Sequence, residues 1–187
     1  MSLRAIAFVP TTNAKGKKDV SGAFLPEALH WLDLHGVHPD RGLRRFDNTL
    51  SKKGRRQDVH DQLIASGYHK PIEHVLFFCH GLRDSLQTGH SCRTWGIATT
   101  RTVFDLVTIM RSVCERHVRV TLYACDAARD SDRQRSDDTR PGPGGDGGFA
   151  DVLRDMMCAG GFSGGWVDAH AVTAHTTRAP YVRRFYT

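Results

Sequence analysis

Apolar residues in this chain gather in short blocks of alternating character, some with the period of a strand and some with that of a helix. Leu3–Val9 reads as a first strand, followed by a polar loop from Pro10 to Ser21. Leu25, Leu29, Leu32 and Leu34, with Trp31 nearby, recur at helical spacing, and Gly36 ends the pattern. Arg44–Thr49 has the look of a short polar edge strand. Val59, Leu63 and Ile64 mark a second helix that stops near Gly67. Val75–Cys79 is then continuously apolar, the mark of a strand buried on both faces. A loop through Gly89, Ser91 and Trp95 leads to a third helix capped by Thr99 or Thr100. Its face carries Val103, Leu106, Val107, Met110, Val113 and Cys114 at spacings of three and four. Val118–Ala124 is the next strand.

From Asp126 to Gly148 the pattern stops. This stretch mixes Asp, Arg, Ser, Gly and Pro, and only Ala127 and Ala128 are apolar. It is expected to be a mobile loop that buries no surface. Phe149, Val152, Leu153 and Met156 or Met157 resume a helical face, closed by Gly160 and Gly161, and two late strands fall around Trp166–Ala174 and Tyr181–Phe185. Strand, helix and strand in this order predict one α/β domain over residues 1–187. Its sheet should be doubly wound and mostly parallel, with helices on both faces.

Length and composition agree with one such domain: 187 residues, 40% apolar and 25% charged. No apolar stretch approaches the roughly 18 residues that span a bilayer, and the first ten residues lack the apolar core of a secretory signal. Five cysteines at wide spacings argue against a disulfide framework and for a reducing, cytoplasmic setting. The net charge of +6 favours acidic partners. The basic residues concentrate in Arg41, Arg44 and Arg45 and again in Lys52, Lys53, Arg55 and Arg56. Only Phe46 is interleaved there to stack a base, so a solvated basic loop and helix start is the plainer reading, with nucleic acid as the alternative partner.

Two of the strands deliver reactive side chains. His80-Gly81 follows the Val75–Cys79 run, and Cys125 follows Val118–Ala124, 45 residues later. Parallel sheets carry their chemistry at the carboxyl ends of their strands. A histidine and a cysteine at two such exits are candidates for a base and a thiol nucleophile. The cysteine attacks as thiolate, and a histidine in reach takes its proton and later returns it to the leaving group. Gly81 leaves its backbone N–H open to a developing oxyanion, with the N–H of Cys125 as second donor. A helix starting after Cys125 would lower the thiol pKa further. Cys79, one residue before His80, should point to the opposite face, while Cys114 and Cys158 belong to helical patterns.

Leu76-Phe77-Phe78-Cys79-His80-Gly81, followed by Leu122-Tyr123-Ala124-Cys125-Asp126-Ala127-Ala128, resembles the paired signature of the caspase-like (clan CD) cysteine peptidases. That group includes caspases, metacaspases, gingipain-type enzymes and the bacterial CHAT domains, and the ending after the cysteine is closest to CHAT-type members. Caspases place the histidine about 50 residues upstream of the cysteine. The resemblance covers roughly residues 3–175, with Asn48 and the preceding helices also in place. It implies Cys125 as nucleophile, His80 as base, and the Gly81 and Cys125 amides as oxyanion hole. Where metacaspases carry an acidic residue two positions before the cysteine, this chain has Tyr123.

The resemblance also implies that the 126–148 loop is a self-cleavage or regulatory segment, with Arg129, Arg133, Arg135 and Arg140 as cleavage points. Asp126, Asp168 and Asp84 are candidates to meet a basic P1 side chain. The expected function is therefore an endopeptidase acting through a thioester, without cofactor. The alternative is a catalytically silent module of the same fold that binds a protein or nucleic-acid partner. His170 with His175, and His90 with Cys92, lack the spacing of a zinc site. Without a Gly-rich loop leading to a lysine, no nucleotide site of the P-loop kind is expected.

Overall fold

The computed structural model describes residues 3–11, 24–47, 49–87, 94–96, 100–129, 148–171 and 182–187. Six strands form the central sheet: β1 (Ala5–Pro10), β2 (Leu43–Phe46), β3 (Ile72–Phe78), β7 (Cys114–Tyr123), β8 (Trp166–His170) and β9 (Val182–Tyr186). Their spatial order is β2-β1-β3-β7-β8-β9. All neighbours run parallel except β8 and β9, which are antiparallel. Helix α1 (Phe24–Leu34) covers one face, with a short turn of helix, α2 (Pro39–Gly42), beside it. On the other face lie α3 (Lys52–Gly67), α4 (Thr100–Val113) and α5 (Phe149–Ala159). The chain is thus an α/β protein with helices on both faces of a mostly parallel sheet, consistent with a caspase-like doubly wound arrangement.

Strand alternation divides the core in two. Ile6, Phe8, Val75, Phe77, Val120 and Leu122 pack with α3, α4 and α5. Ala5, Ala7, Val9, Leu76 and Phe78 pack with Phe24, Ala28, Trp31 and Leu32 of α1. Because β1, most of β3 and the second half of β7 are buried, they read as apolar runs. The sheet has a switch point between β1 and β3: the chain leaves β1 towards β2 on one side and leaves β3 towards β7 on the other. In such sheets the crevice outside the carboxyl ends of the strands at the switch is where ligands bind.

Several elements depart from the sequence expectation. The stretch after β3 is no plain loop but a small antiparallel sheet of β4 (His80–Leu82), β5 (Ser85–Gln87) and β6 (Trp95–Gly96). Leu86 and Trp95 are fully buried under it, with the Trp95 ring 5.8 Å from that of Phe77. Arg55, expected in a solvated helix start, is buried; its Nε donates to Thr94 Oγ1 at 3.1 Å, and Arg56 Nη1 donates to the Thr94 carbonyl at 3.1 Å. The second basic cluster therefore ties α3 to this sheet.

Cys114 opens β7 rather than closing a helix, because the strand begins directly where α4 stops. Ile64 is 40% exposed although it follows the apolar spacing of α3. Phe46 ends the edge strand β2 and is buried, so that strand is less polar than its arginines suggest. The late strands span Trp166–His170 and Val182–Tyr186, and the stretch 172–181 between them, with His175, lies outside the described residues. No described helix is long and apolar enough to cross a membrane.

Candidate active site

β3 and β7 are adjacent in the middle of the sheet, and their register is constant from His74↔Arg119 to Phe78↔Tyr123. Each partner lies 45 positions after the other, which is also the separation of His80 and Cys125. The ladder continues past the strand ends, since the Cys79 N–H donates to the Tyr123 carbonyl at 3.3 Å. His80 and Cys125 each follow two residues after the last pair of this register, Phe78↔Tyr123. Phe78 and Tyr123, the last pair, face the α1 side of the sheet, and their rings stack at 4.4 Å. His80 meets the first residue of α1 edge-on, its ring 5.3 Å from that of Phe24.

The next residue closes the approach. A Cβ on Gly81 would stand 2.6 Å from the Ala124 Cβ and 2.6 Å from the Cys125 carbonyl oxygen. Only glycine lets the His80-Gly81 backbone lie directly on the Cys125 turn. Gly81 then pairs with Leu86 in β4–β5, so the hairpin holds the histidine from behind.

Cys125 itself is buried at 7% exposure and begins a turn over residues 125–128. The condition for a helix dipole on the sulfur, a helix starting directly after Cys125, is not met. Asp126 takes a left-handed backbone (φ 54°), and the Arg129 N–H closes onto its carbonyl at 3.0 Å. The turn is pinned on two sides. The Ala128 N–H donates to the His170 carbonyl at the end of β8, and the Ala150 N–H in α5 donates to the Ala127 carbonyl, both at 2.9 Å. Ala127 and Ala128 are buried in the core, so the first residues of the polar stretch do bury surface, contrary to expectation. Residues 130–147, with Arg133, Arg135 and Arg140, lie outside the described residues. The ends of that segment meet: a Cβ on Gly148 would stand 2.6 Å from the Arg129 carbonyl oxygen.

The other thiols differ in setting. Cys79 is buried in the α4 side of the core, as alternation predicts, and burial, with the neighbouring Cys125 second, pushes its pKa up. Burial, and then Glu115, raises Cys114 to about 12. Cys158 is exposed on α5. Tyr123 is raised to about 12 by burial first and Asp168 second, and is neutral at physiological pH.

The acidic candidates fare unequally. Asp126 sits half-buried in the turn directly after the cysteine. Asp84 is in the β4–β5 turn, where Ser85 Oγ donates to its carboxylate at 3.1 Å. Asp168, on β8, is held by its own chain: Arg184 Nε and Nη2 donate to its two oxygens at 2.7 and 2.8 Å, and Trp166 Nε1 donates at 3.0 Å. Arg119 and Arg184 lie over the Trp166 ring, each 4.4 Å from its centre. These residues, with Tyr123 and His170, line a hollow of about 260 Å³ on the α1 side of β7 and β8.

His74 was not singled out by its sequence position. It is buried beneath Trp31, its Nε2 hydrogen-bonds Thr121 Oγ1 at 2.8 Å, and burial first, then Arg119, lowers its pKa to about 3. A polar residue in an apolar strand was the only hint. His90 and Cys92 lie outside the described residues, and no cluster of metal-binding side chains occurs among the described ones.

Compared with protein-family models, with curated proteins and with solved structures, the chain matches none.

Proposed function

We propose that the chain is a cysteine endopeptidase of the caspase-like type, with Cys125 as nucleophile and His80 as base. The observation that supports this reading is that β3 and β7 are paired up to two residues before His80 and Cys125, with the Gly81 backbone packed against the Cys125 carbonyl, beside the switch point of the sheet. His80 takes the Cys125 proton as the sulfur attacks the peptide carbonyl carbon, and a C–S bond forms. The oxyanion is held by the Gly81 and Cys125 N–H groups. The tetrahedral species then collapses: the C–N bond breaks, the amine leaves with the proton held by His80, and a thioester remains. Water hydrolyses the thioester, with His80 taking the water proton and returning it to the thiol.

Of the acidic residues, Asp126 is the better candidate to meet a basic P1 side chain, because Asp168 is already ion-paired with Arg184. The chemistry needs a reduced thiol, which favours a cytoplasmic setting.

Iodoacetamide at neutral pH tests the reading. Cys125 alkylates faster than the exposed Cys158, and replacing His80 by Ala removes that difference. Equal rates at the two thiols in the unaltered protein would overturn it. Hydrolysis of Arg- and Lys-containing fluorogenic peptides, lost in Cys125→Ala, gives the second readout.

A further inference from the structure

At the opposite, amino-terminal end of the parallel strands lies a second cavity, of about 540 Å³. It is larger than the hollow beside the candidate active site, and roughly 20 Å of strand separates the two ends of the sheet. Its walls bring together four permanent cations from separate stretches of chain: Arg4 before β1, Arg41 in α2, Arg44 in β2 and Lys70 after α3. His38 and His69 stand on the same walls. The first basic cluster of the sequence is therefore split. Arg41 and Arg44 line this cavity, while Arg45 turns away and donates to the Thr11 carbonyl.

Two guanidinium groups converge on one residue. Arg44 Nε donates to Ser66 Oγ at 2.9 Å, and Arg4 Nη2 donates to the Ser66 carbonyl at 3.0 Å. Arg4 has a structural reason to be there, since it caps the last turn of α3 through Ser66 and reaches the Pro71 carbonyl at 3.1 Å. Arg44 meets only a hydroxyl and the carbonyls of Asp40 and Leu43, and its Nη2 has no acceptor among the described residues. Partial burial disfavours its charge.

Carboxylates do not balance the group. Asp40, on the cavity wall, lies 3.5 Å from His38, and Glu73 accepts the Arg4 backbone N–H at 2.8 Å. No ion pair among the described residues involves Arg4, Arg41, Arg44 or Lys70. Holding four cations around one hollow is unfavourable by mutual repulsion unless an anion of similar charge enters. Val37 and Ile72, from either side of β1, add apolar surface.

We infer that this cavity binds a small ligand carrying two or more phosphate groups, of the nucleoside polyphosphate class. Arginine forks grip phosphate oxygens in pairs, and a volume of this size accepts a nucleotide-sized molecule. A single carboxylate would leave most of the positive charge unmet. The site is independent of the thiol chemistry at the far end of the sheet.

Calorimetric titration with tripolyphosphate and with ATP, at low salt, tests the assignment on the intact chain. Both probes bind and raise Tm, ATP at least as tightly as tripolyphosphate, and binding weakens as salt rises. The exposed pair Arg41→Glu with Lys70→Glu, which touches no core contact, weakens both at least about tenfold. Arg44→Gln does the same, and Cys125→Ala changes neither. Unchanged affinity in the Arg41→Glu, Lys70→Glu variant overturns the site, as does the failure of both probes to bind at about 1 mM. Duplex DNA binding more tightly than tripolyphosphate would overturn it in favour of a surface for nucleic acid.

Discussion

Gly81 lies against Cys125 so closely that a single methyl group at its Cα would stand 2.6 Å from the Cys125 carbonyl oxygen. Gly81→Ala must therefore push the β4–β5 hairpin away from the turn. The expected cost is about 1–3 kcal/mol of stability, as for other overpacked sites. Peptide hydrolysis falls by more than the folded fraction accounts for, because the histidine moves with the hairpin. Urea denaturation alongside activity per folded molecule checks this. Full activity in a folded Gly81→Ala protein would separate Gly81 from the chemistry.

Asp126 supplies a second test at the same turn. Its φ of 54° is reached readily by Gly and by Asp or Asn, and at a cost by a β-branched residue. Asp126→Gly and Asp126→Val both remove the carboxylate, so their difference isolates the backbone. The Val variant is expected to be less stable by roughly 1–2 kcal/mol. Equal denaturation midpoints would show that the turn relaxes without it.

The pH dependence of stability follows from His74. Its folded-state pKa is near 3, below the ordinary histidine value of about 6.5, because burial disfavours the charged ring. Between those values the unfolded chain binds a proton that the folded chain does not, so stability rises with pH across that window and is lost as pH falls from about 6.5 towards 3. The slope from this group is at most about 1.4 kcal/mol per pH unit. His60, lowered mainly by burial, contributes in the same direction. Urea midpoints measured from pH 4 to 7 should show a shallower slope for His74→Gln. The same slope in both proteins would assign the acid sensitivity elsewhere.

Self-processing is a further consequence of the peptidase reading. Incubated with Cys125→Ala as control, the unaltered protein is expected to yield two fragments cut between residues 129 and 148, at Arg129, Arg133, Arg135 or Arg140. A gel with mass spectrometry reads the cut. An intact chain after prolonged incubation with reductant would remove the 126–148 stretch from any processing role.

The parts of the fold that were legible in the sequence are those where local pattern and burial coincide. Most of β3 and the second half of β7 are buried and almost wholly apolar, and α4 and α5 each turn one apolar face to the sheet. The candidate pair was legible for the same reason, since strand ends are visible as the points where apolar runs stop. The β4–β5–β6 sheet was not, because its strands are two or three residues long and its stability comes from Trp95 and from Arg55 reaching Thr94 across 39 positions. Nor was the basic cavity, whose cations belong to four stretches that only the sheet order brings together. Asp168 illustrates the remaining gap: a carboxylate on the expected strand was visible, but its partner Arg184, sixteen positions on, is set by antiparallel register.

Arg129 and Gly148 bracket residues 130–147, and these two residues touch. On either side of that point the backbone is clamped, to His170 through Ala128 and to Ala127 through Ala150. A break between them would turn the protein into a heterodimer in which β7 from the first piece stays hydrogen-bonded to β8 from the second. Unfolding, unimolecular in the intact chain, would become bimolecular on refolding, and its midpoint would depend on protein concentration.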